Sequence, residues 1–213
     1  MKTKTTPKKI SKPKKSAKAR QFKAYMLRTC AADMTARGRF KWPTSGEVSA
    51  PDWNPVAQCG QGLHGLLWGE GDGSLLSSNT DAKWLVCGID EWVDLSGKVK
   101  APRATVIYCG TRDEAVALIQ HLGGHRYAVA FGTSTSGYRG TSTSGYGGTS
   151  TSGDGGTSTS GYRGTSTSGN GGTVMVKWWD GKRYRIAVGY CGENGIEPNK
   201  RYRCDNSGNL IPA

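Results

Sequence analysis

Apolar and polar positions along this chain change period several times, and each change marks a boundary. Residues 22–28 (FKAYMLR) alternate as a strand does, and 39–42 (RFKW) read as a second strand that Pro43 stops. Residues 51–55 (PDWNP) are a turn-rich connection. The run 59–73 (CGQGLHGLLWGEGDG) holds six glycines in fifteen residues and predicts a tightly bent backbone around Leu63, Leu66, Leu67 and Trp68, not a regular element. Residues 83–89 (KWLVCGI) form an apolar run of strand length, 92–95 (WVDL) follow it, and 103–109 (RATVIYC) are the strongest strand signal. A helix comes next. Thr111 is placed to cap it, Glu114 completes a capping box, Ala115, Leu118, Ile119 and Leu122 share one face, and Gly123-Gly124 ends it.

The pattern then becomes a repeat. Residues 132–171 read GTSTSGYR, GTSTSGYG, GTSTSGDG, GTSTSGYR and GTSTSGNG, five octads in strict register. In each, Thr-Ser-Thr-Ser can run extended with threonines on one face and serines on the other, and the following glycines can turn the chain. Two octads then make one coil of a narrow two-sided β-solenoid. In that register Tyr138, Asp154 and Asn170 stack along one edge, and Tyr146 and Tyr162 along the other. A flexible linker would not need threonine and glycine at fixed offsets. With no large apolar side chain inside, such a stack depends on backbone ladders and paired hydroxyls. Beyond it, 174–179 (VMVKWW) and 183–188 (RYRIAV) flank Asp180-Gly181 as a hairpin, and 201–204 with 209–211 suggest a second. These hairpins would cap the stack.

The expected architecture is α+β and mostly β: a basic arm over 1–20, disordered when unbound, an α+β globular domain with a tryptophan-rich core over 21–131, the solenoid over 132–171, and a C-terminal β cap over 172–213.

Charge refines this picture. The net charge is +13, but nine cations and no acid fall in the first twenty residues, so the remainder carries +4. Lys8, Lys9, Lys12, Lys14, Lys15, Lys18 and Arg20 are therefore the expected partner-binding residues, and the partner an acidic protein surface such as a capsid lattice, or nucleic acid. An amphipathic lipid-binding face, a signal-peptide apolar run and a membrane-length apolar stretch are missing, which predicts no membrane association and no secretion. Six scattered cysteines lack any Cys-x-x-Cys spacing and read as free thiols. His121 and His125 are separated by Gly123-Gly124 and do not make a metal site. No cofactor is expected.

The stretches GRFKWPTSGEVSAPDWNP and CGQGLHGLLWGEGDGSLL, the run from Asp81 to Ile119, and the octads together resemble an uncharacterised domain family frequent in bacteriophage genomes and actinobacteria. Its members pair a Gly-Leu-His motif with a Ser/Thr/Ala-rich octapeptide array. The resemblance runs from about Phe22 to the C-terminus and implies a phage setting without an established reaction.

His64, with Trp68 and Glu70, forms the one candidate loop site. It reads first as a histidine bonded to the backbone of a tight glycine loop, because no nucleophile or second histidine at a recognisable spacing supports catalysis. The sequence expectation is accordingly a non-enzymatic phage structural or accessory protein, docked on the virion through its basic arm, with the repeat as spacer or homo-oligomerisation element. Its location would be the virion or the host cytoplasm. A nucleic-acid-binding or anti-defence protein is the alternative, and an enzyme using His64 the second. The Thr-x-Thr rows also resemble ice-binding solenoids, but five short, invariant copies count against that reading. Asp154 is the octads' one carboxylate, which counts against calcium.

Overall fold

The computed structural model describes residues 20–213, so Lys8, Lys9, Lys12, Lys14, Lys15 and Lys18 lie outside the described residues. The first unit contains β1 (Ala24–Cys30), β2 (Gly46–Ser49), β3 (Leu63–Leu67), β4 (Lys83–Ile89), β5 (Val93–Asp94), β6 (Val99–Ala101), β7 (Arg103–Gly110) and the helix α1 (Arg112–His121). The strands form an antiparallel sheet in the order β2-β7-β4-β1-β3-β6-β5.

Both faces of the central strands are covered, which explains the continuous apolar run of β4. Trp84 and Val86 join Tyr25, Leu27, Leu66 and the helix residues Ala115, Val116 and Ile119 on one side. Leu85, Cys87 and Ile89 join Met26, Trp42, Leu63, Val99 and Val106 on the other, and the sheet curls so that β6 and β7 feed the same cluster. The expected tryptophan contribution is there in buried Trp42 and Trp84. All six cysteines are free thiols.

The helix start refines the expected capping box. Thr111 Oγ1 accepts from the Glu114 N–H and donates to the Glu114 carboxylate. The Thr111 N–H goes instead to the Tyr108 hydroxyl at 2.9 Å, which itself donates to Glu114.

Two expectations fail here. Residues 39–42 are not a strand: a 3-10 turn at Arg37–Arg39 leads into a hairpin-like loop in which Trp42 N–H bonds to Met34 carbonyl at 2.9 Å. The glycine-dense 59–73 run is not wholly irregular, since Leu63–Leu67 is a sheet strand between β1 and β6. Gly65 serves close approach there, because a Cβ would sit 2.9 Å from Met26 Sδ.

The octads supply β8 (Thr133–Thr135), β9 (Thr141–Ser144), β10 (Thr149–Thr151), β11 (Thr157–Ser160) and β12 (Thr165–Thr167). Parallel pairing aligns Thr133, Thr149 and Thr165 in one sheet and Thr141, Thr157 and Thr173 in the other. The coil is thus sixteen residues, two octads, as the repeat predicts. Its corners are four-residue turns, such as Gly161 to Gly164, whose third residue has positive φ throughout: Arg139, Gly147, Gly155, Arg163 and Gly171 at 53, 62, 64, 61 and 60°.

The solenoid then passes into β13 (Thr173–Trp179), paired with β14 (Tyr184–Tyr190), while β15 (Tyr202–Cys204) pairs with β12 and with β16 (Leu210–Pro212). One aromatic file joins the parts. Trp84, Phe131, Tyr146, Tyr162, Tyr184 and Trp179 follow one another with centroid separations of 5.0–5.9 Å. No described helix is long and apolar enough to cross a membrane.

Candidate functional site

Strand alternation decides what the solenoid shows to solvent. Serines point inward: Ser150, Ser158, Ser166 and Ser168 have no exposed surface. Their hydroxyls pair across the narrow interior, Ser150 with Ser158 and Ser166 with Ser160 at 3.0 Å, and along the stack, Ser152 with Ser168 one coil on at 2.8 Å. Threonines consequently point outward on both sheets.

The β8-β10-β12 face carries an unbroken grid: Thr133, Thr149 and Thr165 in one column, Thr135, Thr151 and Thr167 in the other. Strand geometry sets its spacings at about 4.8 Å between strands and about 6.6 Å along each strand. Thr165 Oγ1 donates to Thr149 Oγ1 at 3.2 Å along the first column. Exposure falls from Thr133 and Thr135 to Thr167, which is 9% exposed.

The opposite face differs. Met175 takes the last position of its second column, and Thr143 and Thr159 line a cleft of about 480 Å³ with Glu70, Asp72, Lys177 and Tyr184. The threonines of this face are as exposed as those of the first grid, Thr141 and Thr143 most and Thr157 and Thr159 less, but its second column is broken by Met175, and strand β14 extends it with exposed Tyr184, Ile186, Val188 and Tyr190.

The predicted loop residues are dispersed. His64 is on β3, where its Nε2 accepts from the Gly60 N–H at 3.3 Å, and it lines a separate cleft of about 720 Å³. Burial, then the charges of Lys98, Lys100 and Arg28, hold the imidazole pKa below its ordinary value. Trp68 stacks on Tyr127 at 5.7 Å. Glu70 bridges to Val129 and lines the solenoid-side cleft, so His64 and Glu70 face different cavities. Arg20 is bound to the folded body, through Glu47 at 2.8 Å and Asp90 at 3.0 Å. Among the described residues no cluster of three or more histidines, cysteines or acids is arranged to hold a metal.

Sequence reasoning missed one buried and one half-buried cation. Arg28 occupies an inward position of β1 between Met26 and Cys30, and Lys100, 1% exposed, lies between buried Val99 and Ala101. A cation at a core position of an otherwise apolar alternation was the available signal.

By its geometry, then, the chain is a small antiparallel α+β unit carrying a threonine-faced β-solenoid. Residues 24–118 match the model of a family described as Domain of unknown function (DUF7666). The chain is 40% identical over 106 residues to the ice nucleation protein InaU of Pantoea ananas, covering 48% of this chain and 10% of that protein. It is 43% identical over 101 residues to an ice nucleation protein of Xanthomonas campestris pv. translucens, 46% of this chain and 6% of that one. The corresponding protein of Pseudomonas syringae pv. syringae is 40% identical over 118 residues, 54% of this chain and 10% of its own length. The chain therefore spans about a tenth or less of these relatives. No solved structure matches.

These relatives overturn the phage reading. Bacterial ice nucleation proteins, not virion components, share the sequence, so the capsid-docking, decoration-protein role and the virion or host-cytoplasm location are withdrawn. The nucleic-acid, anti-defence and His64-enzyme alternatives find no support either. Relatives of this kind are compatible with a chain that is not an enzyme.

Proposed function

We propose that the β8-β10-β12 face of the solenoid is an ice-binding surface. The observation that carries this reading is the grid of six threonines in two in-register columns. Each supplies a methyl group and a hydroxyl that both donates and accepts, on a backbone whose two repeats are fixed by sheet geometry. Water held on such a grid has positions set by the protein, and an ice face of similar spacing can merge with it. The names of the relatives support the reading, and the invariance that argued against it from sequence becomes an advantage, because identical octads stack without a register defect.

Size limits the activity. Three strands span only about 10 Å across the hydrogen-bonding direction, so this face adheres to existing ice and restrains its growth, while nucleation at mild supercooling requires a larger template. The test is partition of labelled full-length protein into a slowly growing ice hemisphere. Wild type is expected to enter the ice, and the double variant Thr149→Lys/Thr151→Lys to stay in the liquid with unchanged circular dichroism. Equal partition of the two proteins refutes the assignment. Thr157→Lys/Thr159→Lys, on the opposite face whose second threonine column is broken by Met175, is expected to partition as wild type does.

A further inference from the structure

The larger cleft belongs to the first unit and has no part in the threonine grid. Its volume is about 720 Å³, in the range that holds a small organic molecule. Four cations line it, Arg28, Arg37, Arg39 and Lys98, against one acid, Asp52. Apolar side chains, among them Phe40, Trp42, Leu63 and Leu76, complete the wall.

Arg28 is the informative residue. Its guanidinium lies 3.7 Å from the Trp42 ring centroid and donates to the carbonyls of His64 at 3.1 Å and Thr29 at 3.3 Å. Its Nε is buried without a hydrogen-bond partner, and no carboxylate pairs with it among the described residues. The first nineteen residues contain no acid, so they cannot supply the missing counter-charge. A cation withdrawn from water is ordinarily paired. Two lysines stand nearby: Lys100 Nζ is bound to the carbonyls of Gln58 and Gly60 at 2.9 and 3.2 Å, and Lys98 Nζ contacts Cys59 Sγ at 2.9 Å.

We infer that this cleft is a binding site for a small phosphorylated molecule with an apolar or aromatic body. The phosphate oxygens would meet the guanidinium of Arg28 deep in the cleft and the cations of Arg37 and Lys98 towards its mouth, where planar guanidinium groups match oxyanions in two-point contacts. The organic portion would lie against Phe40 and the leucines. The inference is independent of the ice-binding reading.

Calorimetric titration of the full chain at constant ionic strength with phenyl phosphate, inorganic phosphate, benzoate and phenol tests it. Phenyl phosphate is expected to bind saturably with one site per chain, inorganic phosphate more weakly, and phenol not at all. Arg28→Gln should abolish binding. Lys98→Gln and Arg37→Gln, at side chains that no described ion pair holds in place, should each weaken it by about tenfold, the order of one charge-assisted contact. Lys182→Gln, in the distant hairpin, should bind as wild type does. Absence of saturable binding by phenyl phosphate, equal affinity in the Lys98 and Arg37 variants and wild type, or phenol binding as well as phenyl phosphate, overturns the proposal. Benzoate binding more tightly than phenyl phosphate overturns the phosphate assignment.

Discussion

A solenoid with serine in place of an apolar core should be sensitive to the pairing of its hydroxyls more than to their presence. Ser150 and Ser158 face each other from opposite sheets, both without exposed surface, and their hydroxyls are hydrogen-bonded. Ser158→Ala leaves the Ser150 hydroxyl buried with no partner, a cost of about 1–3 kcal/mol. It also removes the acceptor of the Thr167 N–H, a longer contact of 3.3 Å. Ser150→Ala costs less, because the Ser158 hydroxyl still accepts from the Thr167 N–H. The double variant strands neither. It loses the serine pair and the Thr167 contact, the same two bonds that Ser158→Ala loses, but leaves no hydroxyl unpaired, and should be no less stable than Ser158→Ala.

The expected coupling energy is therefore about 1–3 kcal/mol in favour of the double variant, within the range found for contacting residues. Because proteins open locally as well as globally, native-state amide exchange at the β10 and β11 strands is a better assay than global denaturation. Protection factors should fall by about tenfold or more in Ser158→Ala and less in Ser150→Ala, and the double variant should recover part of the Ser158→Ala loss. Additive losses would refute the idea that pairing, and not hydroxyl content, holds the interior.

Two further outcomes are accessible. Arg163 holds φ of 61° at a turn position where the second, third and fifth octads have glycine; Arg163→Gly should raise stability by about 1 kcal/mol, read as a higher urea midpoint, and a lower midpoint would show that its contact with Tyr162, 5.5 Å away, outweighs the strain. Asp180 accepts from the Lys182 and Arg183 N–H groups at 2.8 Å and from Arg185, which together pull its pKa down to about 2. Its unfolded value is about 3.9, so the hairpin is fully supported above that and loses the contribution as pH falls through about 2; a pH titration of the Lys182 and Arg183 amide resonances should show the midpoint near 2, and Asp180→Asn should abolish it.

The elements legible in the sequence are those whose signal is local. β4 and β7 carry long apolar or alternating runs, α1 has both its cap and its stop, and the octads dictate their own sixteen-residue register because a one-residue slip would turn every serine outward. What escaped depends on partners distant in sequence. β6 is three residues long and exists through its pairing with β3 and β5. β3 was obscured by its glycines, which read as breakers but act as points of close contact, Gly65 beneath Met26 and Gly62 against Trp53. Phe40 and Trp42 looked like strand residues because they are apolar and alternate, yet they close a loop over the core, edge to face at 5.9 Å. The threonine grid was legible as rows; the shortness of the repeat, which counts against the ice-binding reading in the sequence, bears on nucleation and not on adhesion.

Hydroxyl pairing also varies along the solenoid, and the variation assigns a mechanical role to the first unit. Ser136, Ser142 and Ser144, all in the first coil, have buried hydroxyl oxygens without partners, whereas pairs are found from Ser150 to Ser168. At about 1–3 kcal/mol each, three such groups would make an isolated first coil the weakest part of the stack. It is held from below instead. Phe131 N–H bonds to Tyr146 carbonyl at 2.7 Å and Gly145 N–H to Val129 carbonyl at 3.1 Å. Gln120 Nε2 donates to Thr133 carbonyl at 2.9 Å, and the Phe131 ring sits between Trp84 and Tyr146. The α+β unit thus acts as the cap that lets a hydroxyl-lined coil begin. Weakening that cap, for example by Phe131→Ala, should release amide protection at Thr133 and Thr135 before Thr149 or Thr165. The grid would then shrink from three rows to two, and ice partition should decline while the paired coils remain folded. Loss of protection uniform along all five octads would show instead that the stack melts as one unit and that the cap has no graded effect.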